Sequence, residues 1–434
     1  MERPRTETFT NHTKLGSGWA LAPLLALFVA VAYAAANDAG EGDEAAYVGL
    51  ARNLTQGHYR SGTGGALLDA SPEHPDLWFP PGFSAALTPF VALGAPLSVT
   101  RLIGPLCLFA SVYVFFRLMS LYTRRSRALI AAYGFALYVP FYALLLHLQS
   151  ETLAVLLVVT TLYATARYMQ TSGRRYLTLG VLALAWLSLT RAAFGWVLAL
   201  TLVALAGWWL VRRGETARRL LAMYALALAL CSPWLAYTFS VTGRPFHWAS
   251  SGSLSLYWMA SPYPQDLGDW RAASAVFSDD RLQAHRPFFE GLKGLDAVDQ
   301  GVAIEQAGYG YIRDNPLKYG RNVVANVSRM LFNTPYSFTQ QKLSTLLYIA
   351  PNALVLGLFA SCLVFFALRW RLFPPEMTPF ALLGGLGFLF QALLSAYPRM
   401  LTPVMPIVFW FVAYTLTNHV RLRRSDVEPA AGGA

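Results

Sequence analysis

Ten apolar runs, each near the length needed to cross a bilayer, constrain this chain more than any other feature. A spanning helix needs roughly 20 apolar residues, because hydrocarbon offers no partner to an unsatisfied backbone group. The runs lie at 19–36, 99–119, 128–146, 152–169, 176–190, 193–211, 220–240, 343–368, 377–395 and 400–420. Only 13% of the 434 residues are charged and 55% are hydrophobic, whereas a soluble domain carries about a quarter charged residues. The sequence therefore predicts an all-α polytopic membrane protein, a bundle of about ten transmembrane helices. The first run is long and lacks a small-residue cleavage site, so it is expected to stay as a span rather than act as a signal peptide.

Basic residues fall on alternate connections. Arg117/Arg124/Arg125/Arg127, Arg167/Arg174/Arg175, Arg212/Arg213/Arg218/Arg219, Arg369/Arg371 and Arg421/Arg423/Arg424 form one set, and the opposite short connections carry only Arg191 and Arg399. Cytoplasmic loops collect Lys and Arg. The expected topology has tails 1–18 and 421–434 in the cytoplasm of a bacterial-type inner (plasma) membrane. The net charge of +11 is then a topological signal, and no nucleic-acid partner is expected. Cys107, Cys231 and Cys362 lie inside apolar runs and read as packing residues.

Two long segments, 37–98 and 241–342, remain on the outer side of a single domain spanning 19–420. The first holds Asp38, Glu41, Asp43, Glu44, Asp69, Glu73 and Asp76; the second is long enough to cover a site. Within the second, Asn315-Pro316 predicts a helix start with Asn315 capping. Leu317, Val323, Val324, Val327, Met330 and Leu331 then follow at helical spacing, while Lys318, Arg321 and Arg329 can face elsewhere. That pattern predicts a juxtamembrane helix along the outer surface. No run carries an ionisable residue near its centre, where ion-coupled transporters keep one. The acids sit at the outer edge instead, which points to chemistry at the interface and leaves a lipid flippase open.

Five groups are expected to converge there: Asp43-Glu44, His147 with Glu151, Arg191, the second outer segment, and Tyr397 with Arg399. Each has a plainer reading. Glu151 suits a helix start through the macrodipole, Arg191 and Arg399 can snorkel to the interface, His147 can be structural, and Asp43-Glu44 can be a solvated turn.

Gly42-Asp43-Glu44-Ala45-Ala46-Tyr47, then Ala51-Arg52-Asn53-Leu54, Gly57-His58-Tyr59 and Pro80-Pro81-Gly82-Phe83 resemble the first outer loop of GT-C glycosyltransferases. The likeness is to the branch holding protein O-mannosyltransferases and the lipid A aminoarabinose transferase. Ser150-Glu151-Thr152-Leu153, Leu187-Ser188-Leu189-Thr190-Arg191, Ser232-Pro233-Trp234, Tyr311-Ile312-Arg313-Asp314-Asn315-Pro316 and Arg399-Met400-Leu401-Thr402-Pro403 with Pro406 follow in family order. The resemblance covers roughly residues 19–420. Ala236-Tyr237 stands where the family has Arg-Asn, and Met400 where it has an aromatic; these departures bear on the acceptor more than on the reaction.

The resemblance implies a GT-C-like bundle with outer juxtamembrane helices that moves a sugar, with inversion, from a polyprenyl-phosphate donor to an acceptor hydroxyl on a lipid, glycan or protein. Asp43 matches the family's catalytic base. Glu44 would orient it, bind sugar hydroxyls or bind a cation. Arg399, Arg191 and Arg52, with Arg101 as a further candidate, would hold the donor phosphate. Tyr47, Tyr59, Glu151, His147 and Tyr397 would line the substrate site, and Trp78 would stack on sugar or lipid. No P-loop, dinucleotide fingerprint or His-rich zinc motif appears, so no nucleotide-sugar donor is expected. A divalent cation held by the acids at 38–44 is the one cofactor considered. A polyprenyl-linked glycan polymerase or ligase and a non-catalytic lipid or polysaccharide transporter are the competing readings.

Overall fold

The computed structural model describes residues 19–34, 42–60, 68, 75, 77–338 and 345–420. Both tails therefore lie outside the described residues, as do Asp38, Glu41, Asp69, Glu73 and Asp76. Among the described residues the regular structure is helical, with one isolated bridge between Arg60 and Pro75.

The chain opens with α1 (Ala22–Ala34), α2 (Asp43–Thr55), α3 (Gly82–Ala92), α4 (Leu97–Thr100), α5 (Ile103–Met119), α6 (Arg125–Ala136) and α7 (Pro140–Ala143). The central bundle continues with α8 (Ser150–Thr171), α9 (Arg174–Thr190), α10 (Ala192–Arg212), α11 (Glu215–Leu230) and α12 (Ser232–Thr242). The second long segment folds as α13 (Ser251–Ala260), α14 (Ala275–Ser278), α15 (Arg286–Glu290), α16 (Ala297–Asp314) and α17 (Pro316–Phe332). The chain then returns through α18 (Leu346–Arg369), α19 (Met377–Leu393), a 3₁₀ stretch Pro398–Val404 and α20 (Met405–His419).

Among the described residues, five stretches are long and apolar enough to cross a membrane: Leu97–Met119, Ser150–Thr171, Ala192–Arg212, Leu346–Leu372 and Pro398–His419. A sixth is added if Glu215–Leu230 and Ser232–Thr242, bent by 48°, act as one span. Trp19–Ala34, Gly82–Ala92 and Met377–Leu393 are shorter apolar helices. By length and hydropathy the described residues thus stop short of ten. One cause is Pro140, whose ring cannot continue a helix and which divides run 128–146 between α6 and α7. Separately, the segment read as a polar outer loop contains α3, an apolar helix of 11 residues, too short to register as a run.

Two cores result. One runs through the bundle, and a smaller one, built around Leu254, Tyr257, Trp258, Leu282, Phe289 and Ile304, organises the second long segment. Leu68 and Trp78 of the first segment pack against the smaller core, which ties the two segments together.

The expectation for α17 needs correction. Pro316 does take the first helical position, but Asn315 makes no side-chain cap bond. The helix turns its polar face inward: Asn322, Asn326 and Arg329 are 0% exposed, whereas Leu317 and Val324 are 83% and 71% exposed. The reason lies in unpaired backbone. The last carbonyls of a helix have no intrahelical donor, and α17 supplies donors to two such ends. Asn322 Nδ2 donates to Met259 O at 2.9 Å and Ser261 O at 3.2 Å, closing α13. Asn326 Nδ2 donates to Gln391 O, Ala392 O and Leu394 O at 2.7–3.0 Å, closing α19.

Candidate active site

Four helix ends meet on the face where α8 begins: the N-termini of α2 and α8, the α9–α10 junction, and the 3₁₀ stretch before α20. Glycine is decisive at the first of them. Gly42, which precedes α2, has φ +58°, a left-handed value that side chains disfavour. The turn presents Asp43 as the first residue of α2.

Gly82 fixes a second end. A Cβ there would stand 2.6 Å from the Leu189 carbonyl carbon and oxygen and from Thr190 Oγ1. Trp186 Nε1 also donates to Gly82 O at 2.8 Å. The Pro-Pro-Gly and Leu-Thr-Arg motifs, a hundred residues apart, are therefore two sides of one backbone contact. Arg191 follows immediately as a single extended residue (φ −136°, ψ 109°) between α9 and α10, which throws its side chain off both helix axes.

The charged groups then form a chain. Arg399 Nη2 donates to Asp43 Oδ2 at 2.5 Å, and Arg399 Nε lies 3.5 Å from Glu151 Oε1. Arg191 Nη1 donates to that same Glu151 oxygen at 2.9 Å and to Ser150 Oγ at 3.3 Å. Two carboxylates thus alternate with two guanidiniums, and the cluster is neutral overall. Glu151 is 1% exposed, but the Asp43 and Arg399 side chains are 38% and 27% exposed. An incoming molecule can therefore reach the outer pair while the inner pair holds the frame.

Glu44 does not join this cluster. Successive helical residues do not face the same way, and Glu44 points inward, 1% exposed, into a two-point fork with Arg101. Arg101 Nε and Nη2 donate at 2.7 and 2.9 Å, and the Leu148 N–H adds a bond at 3.4 Å. The expected sugar or cation contact of Glu44, and the phosphate contact considered for Arg101, give way to a buried ion pair that locks α2 to the start of α5.

Arg52 is exposed near the other end of α2. It lies nine positions from Asp43, or about 13 Å along the axis and half a turn away, so it is not brought to the cluster. His147 is half exposed, with Nδ1 3.9 Å from Glu44 Oε2, and sits at the margin. Tyr47 is buried against Phe79 and Phe83 and donates its hydroxyl to Ser150 Oγ at 3.1 Å. It supports the cluster from behind rather than stacking on a ligand. Burial pushes its hydroxyl well above the usual tyrosine range, and the carboxylates of Asp43 and Glu151 push it further, so it stays a neutral donor. Tyr59 donates to Phe79 O at 3.1 Å and packs edge-on against Trp234, a structural role in place of the expected substrate contact. Tyr397 donates to Trp270 O at 3.0 Å, joining the second segment to the Arg399 segment. Burial raises its hydroxyl too, and Asp269 adds to this while nearby arginines oppose it.

The sequence does not single out Ser150 as a site residue, and it places Arg329 only off the apolar stripe of α17. Arg329 is fully buried and donates to Ala396 O, Leu267 O, Pro335 O, Gly268 O and Asn326 Oδ1 at 2.9–3.2 Å. Ala396 N also donates to Asn326 Oδ1 at 2.9 Å. Together these bonds set the turn that delivers Arg399. The signal was present in the spacing of Asn322, Asn326 and Arg329, steps of four and three that place all three on one helical face.

Among the described residues the donor set does not fit a divalent cation. Among the described residues no three His, Cys, Asp or Glu side chains converge, and Asp43, Glu44 and Glu151 are each matched by a guanidinium. Asp38 and Glu41 lie outside the described residues.

An apolar cavity of about 660 Å³ runs between α18, α19 and α20. Leu401 and Leu331 border one end; Phe366 and Met377 border the other. Its outer wall is α18, of which only 11% of the spanning window is buried, against 72% for α8.

No protein-family model matches the chain, and no curated protein matches it. Among solved structures, it is similar to the archaeal oligosaccharyltransferase AglB from Archaeoglobus fulgidus, in complex with an inhibitory peptide and a dolichol-phosphate. That match has 14% identity and a TM-score of 0.49 over 93% of this chain and 50% of that one. It is also similar to ArnT from Cupriavidus metallidurans in the apo state, at 14% identity and a TM-score of 0.38, over 93% of this chain and 78% of that one. The chain thus spans half the length of the first of these.

Proposed function

We propose that this chain is an integral-membrane glycosyltransferase that moves a sugar from a polyprenyl-phosphate donor to an acceptor hydroxyl at the outer face of the membrane. The observation that carries this reading is the Asp43–Arg399 contact, an accessible carboxylate beside an accessible guanidinium. Group transfer from a lipid phosphate needs one group to take a proton and another to hold the leaving charge, and the order of motifs along the chain resembles the GT-C pattern throughout.

Asp43 accepts the proton of the acceptor hydroxyl. The oxygen attacks the anomeric carbon from the side opposite the phosphate, a new C–O bond forms, and the bond from that carbon to the phosphate oxygen breaks. The electron pair leaves with the polyprenyl phosphate, and the anomeric centre inverts. Arg399 stabilises the departing charge through its planar fork. Arg191 acts through Glu151, which shares its carboxylate between the two arginines. The apolar cavity bordered by Leu401, two residues from Arg399, takes the donor's hydrocarbon tail.

Asp43→Asn tests the assignment in purified protein in lipid. A positioned general base contributes typically 10²–10⁴-fold, so turnover should fall by about that factor while polyprenyl-phosphate-sugar binding persists. Transfer at the wild-type rate would remove Asp43 as base.

A further inference from the structure

A second charged cluster lies at the opposite ends of the same helices. Arg167 is 16 positions beyond Glu151 on α8, about 24 Å along the axis, near the end of that helix away from the Asp43–Arg399 contact. Its Nη2 donates to the Tyr176 hydroxyl at 3.2 Å, and its guanidinium lies 5.0 Å from the Tyr176 ring centroid. Arg175 approaches that ring to 4.7 Å. Arg117, at the end of α5, donates to Tyr113 Oη at 3.2 Å and lies within electrostatic reach of Tyr163 and Tyr176. The rings of Tyr163 and Tyr176 meet edge-on at 6.1 Å.

Three guanidiniums therefore gather around three phenols, and among the described residues no carboxylate pairs with any of them. Neighbouring arginines differ: Arg218 and Arg219 both pair with Glu215, at 2.7 and 2.9 Å. Arg167 Nε is also buried with no hydrogen-bond partner among the described residues. Gathering like charges without counter-charge is unfavourable. Snorkelling to set topology needs no convergence and no tyrosine hydroxyls.

We propose that Arg117, Arg167 and Arg175, with the hydroxyls of Tyr113 and Tyr176, bind the phosphate of an anionic phospholipid in the leaflet opposite the Asp43–Arg399 site. Guanidinium forks suit phosphate oxygens, and basic pockets between membrane helices at the cytoplasmic side take acidic lipid headgroups. A lipid is favoured over a soluble phosphate by what adjoins the cluster. Leu179, Leu182 and Trp186, all exposed, continue from Tyr176 along one face of α9 in steps of three, three and four. This ridge offers the acyl chains a surface directly below the headgroup.

The test uses the full chain in nanodiscs of phosphatidylcholine with a tenth phosphatidylglycerol, then extraction into mild detergent and counting of retained lipids by native mass spectrometry. Phosphatidylglycerol should be retained at least several-fold above its share. Arg167→Gln and Arg175→Gln should each lower that enrichment several-fold, whereas Arg218→Gln, a charge loss at a paired arginine on the same face, should leave it unchanged. Arg175 is exposed, so its replacement does not disturb packing. Enrichment that drops equally in Arg218→Gln would mean a diffuse surface potential and overturn the site. Displacement of the lipid by millimolar inorganic phosphate would assign the cluster to a free anion and overturn the lipid. Retention of both lipids in proportion to supply would overturn the proposal outright.

Discussion

Asp43 and Arg399 touch at 2.5 Å across 356 positions of sequence, and the geometry of that contact assigns them different freedoms. Asp43 is held at the start of a helix, whereas Arg399 rides on a 3₁₀ turn and reaches towards two carboxylates at once. A lysine at 399 would keep the charge but cannot present separate Nε and Nη donors. Arg399→Lys should therefore lower kcat by about 10²-fold, the usual scale for losing one preorganised donor to developing charge. Steady-state transfer assays against the wild type check this. An unchanged kcat would show that only the charge matters.

Glu44 and Arg101 give a contrasting expectation. Removing one member of a buried pair strands the other charge and costs about 3–5 kcal/mol. Glu44→Gln should lower the melting temperature sharply, and Glu44→Leu combined with Arg101→Met should recover most of the loss, with transfer activity following the folded fraction. A double variant that is stable yet inactive would return Glu44 to the chemistry.

Gly82 is expected to tolerate no side chain. An alanine Cβ would overlap the Leu189 carbonyl and Thr190 Oγ1 at 2.6 Å, and overpacking of this kind costs about 1–3 kcal/mol. Because Arg191 is the next residue, Gly82→Ala should lose turnover beyond its loss of folded protein. Thermal melts and kcat measured on the same preparations separate the two effects.

Glu376 predicts a pH dependence of stability. The residue stands at the start of α19 and is 3% exposed, and its Oε2 has no partner among the described residues. Burial raises its carboxyl above the usual carboxylate range, only partly offset by bonds from its own backbone and Gln170. The folded state then holds the proton more tightly than the unfolded chain. Its contribution is fully favourable below the unfolded value and is lost as pH rises through the folded one. Glu376→Gln should raise the melting temperature at pH 8 and leave it unchanged near pH 4. Parallel melting curves at both values would contradict this.

Legibility in the sequence followed the range of the forces involved. Apolar runs, alternating arginine clusters and the Gly-Asp-Glu turn are local, and they predict a helical membrane chain with Asp43, Glu151, Arg191 and Arg399 on one side. Which acid of the adjacent pair faces the site was not local. It depends on the rotation of α2, set by Tyr47 packing on Phe79 and Phe83 and by Arg101 arriving from another helix. Arg52 resembles a site arginine in the motif, yet half a turn of helix carries it away.

The amino-acid order alone determined that the chain must meet lipid, because hydrocarbon rejects uncompensated backbone and charge whatever the partners. Only the tertiary structure decided the inward polar face of α17. The free carbonyls that Asn322, Asn326 and Arg329 satisfy exist only once α13, α19 and the turn before Arg399 have been brought together.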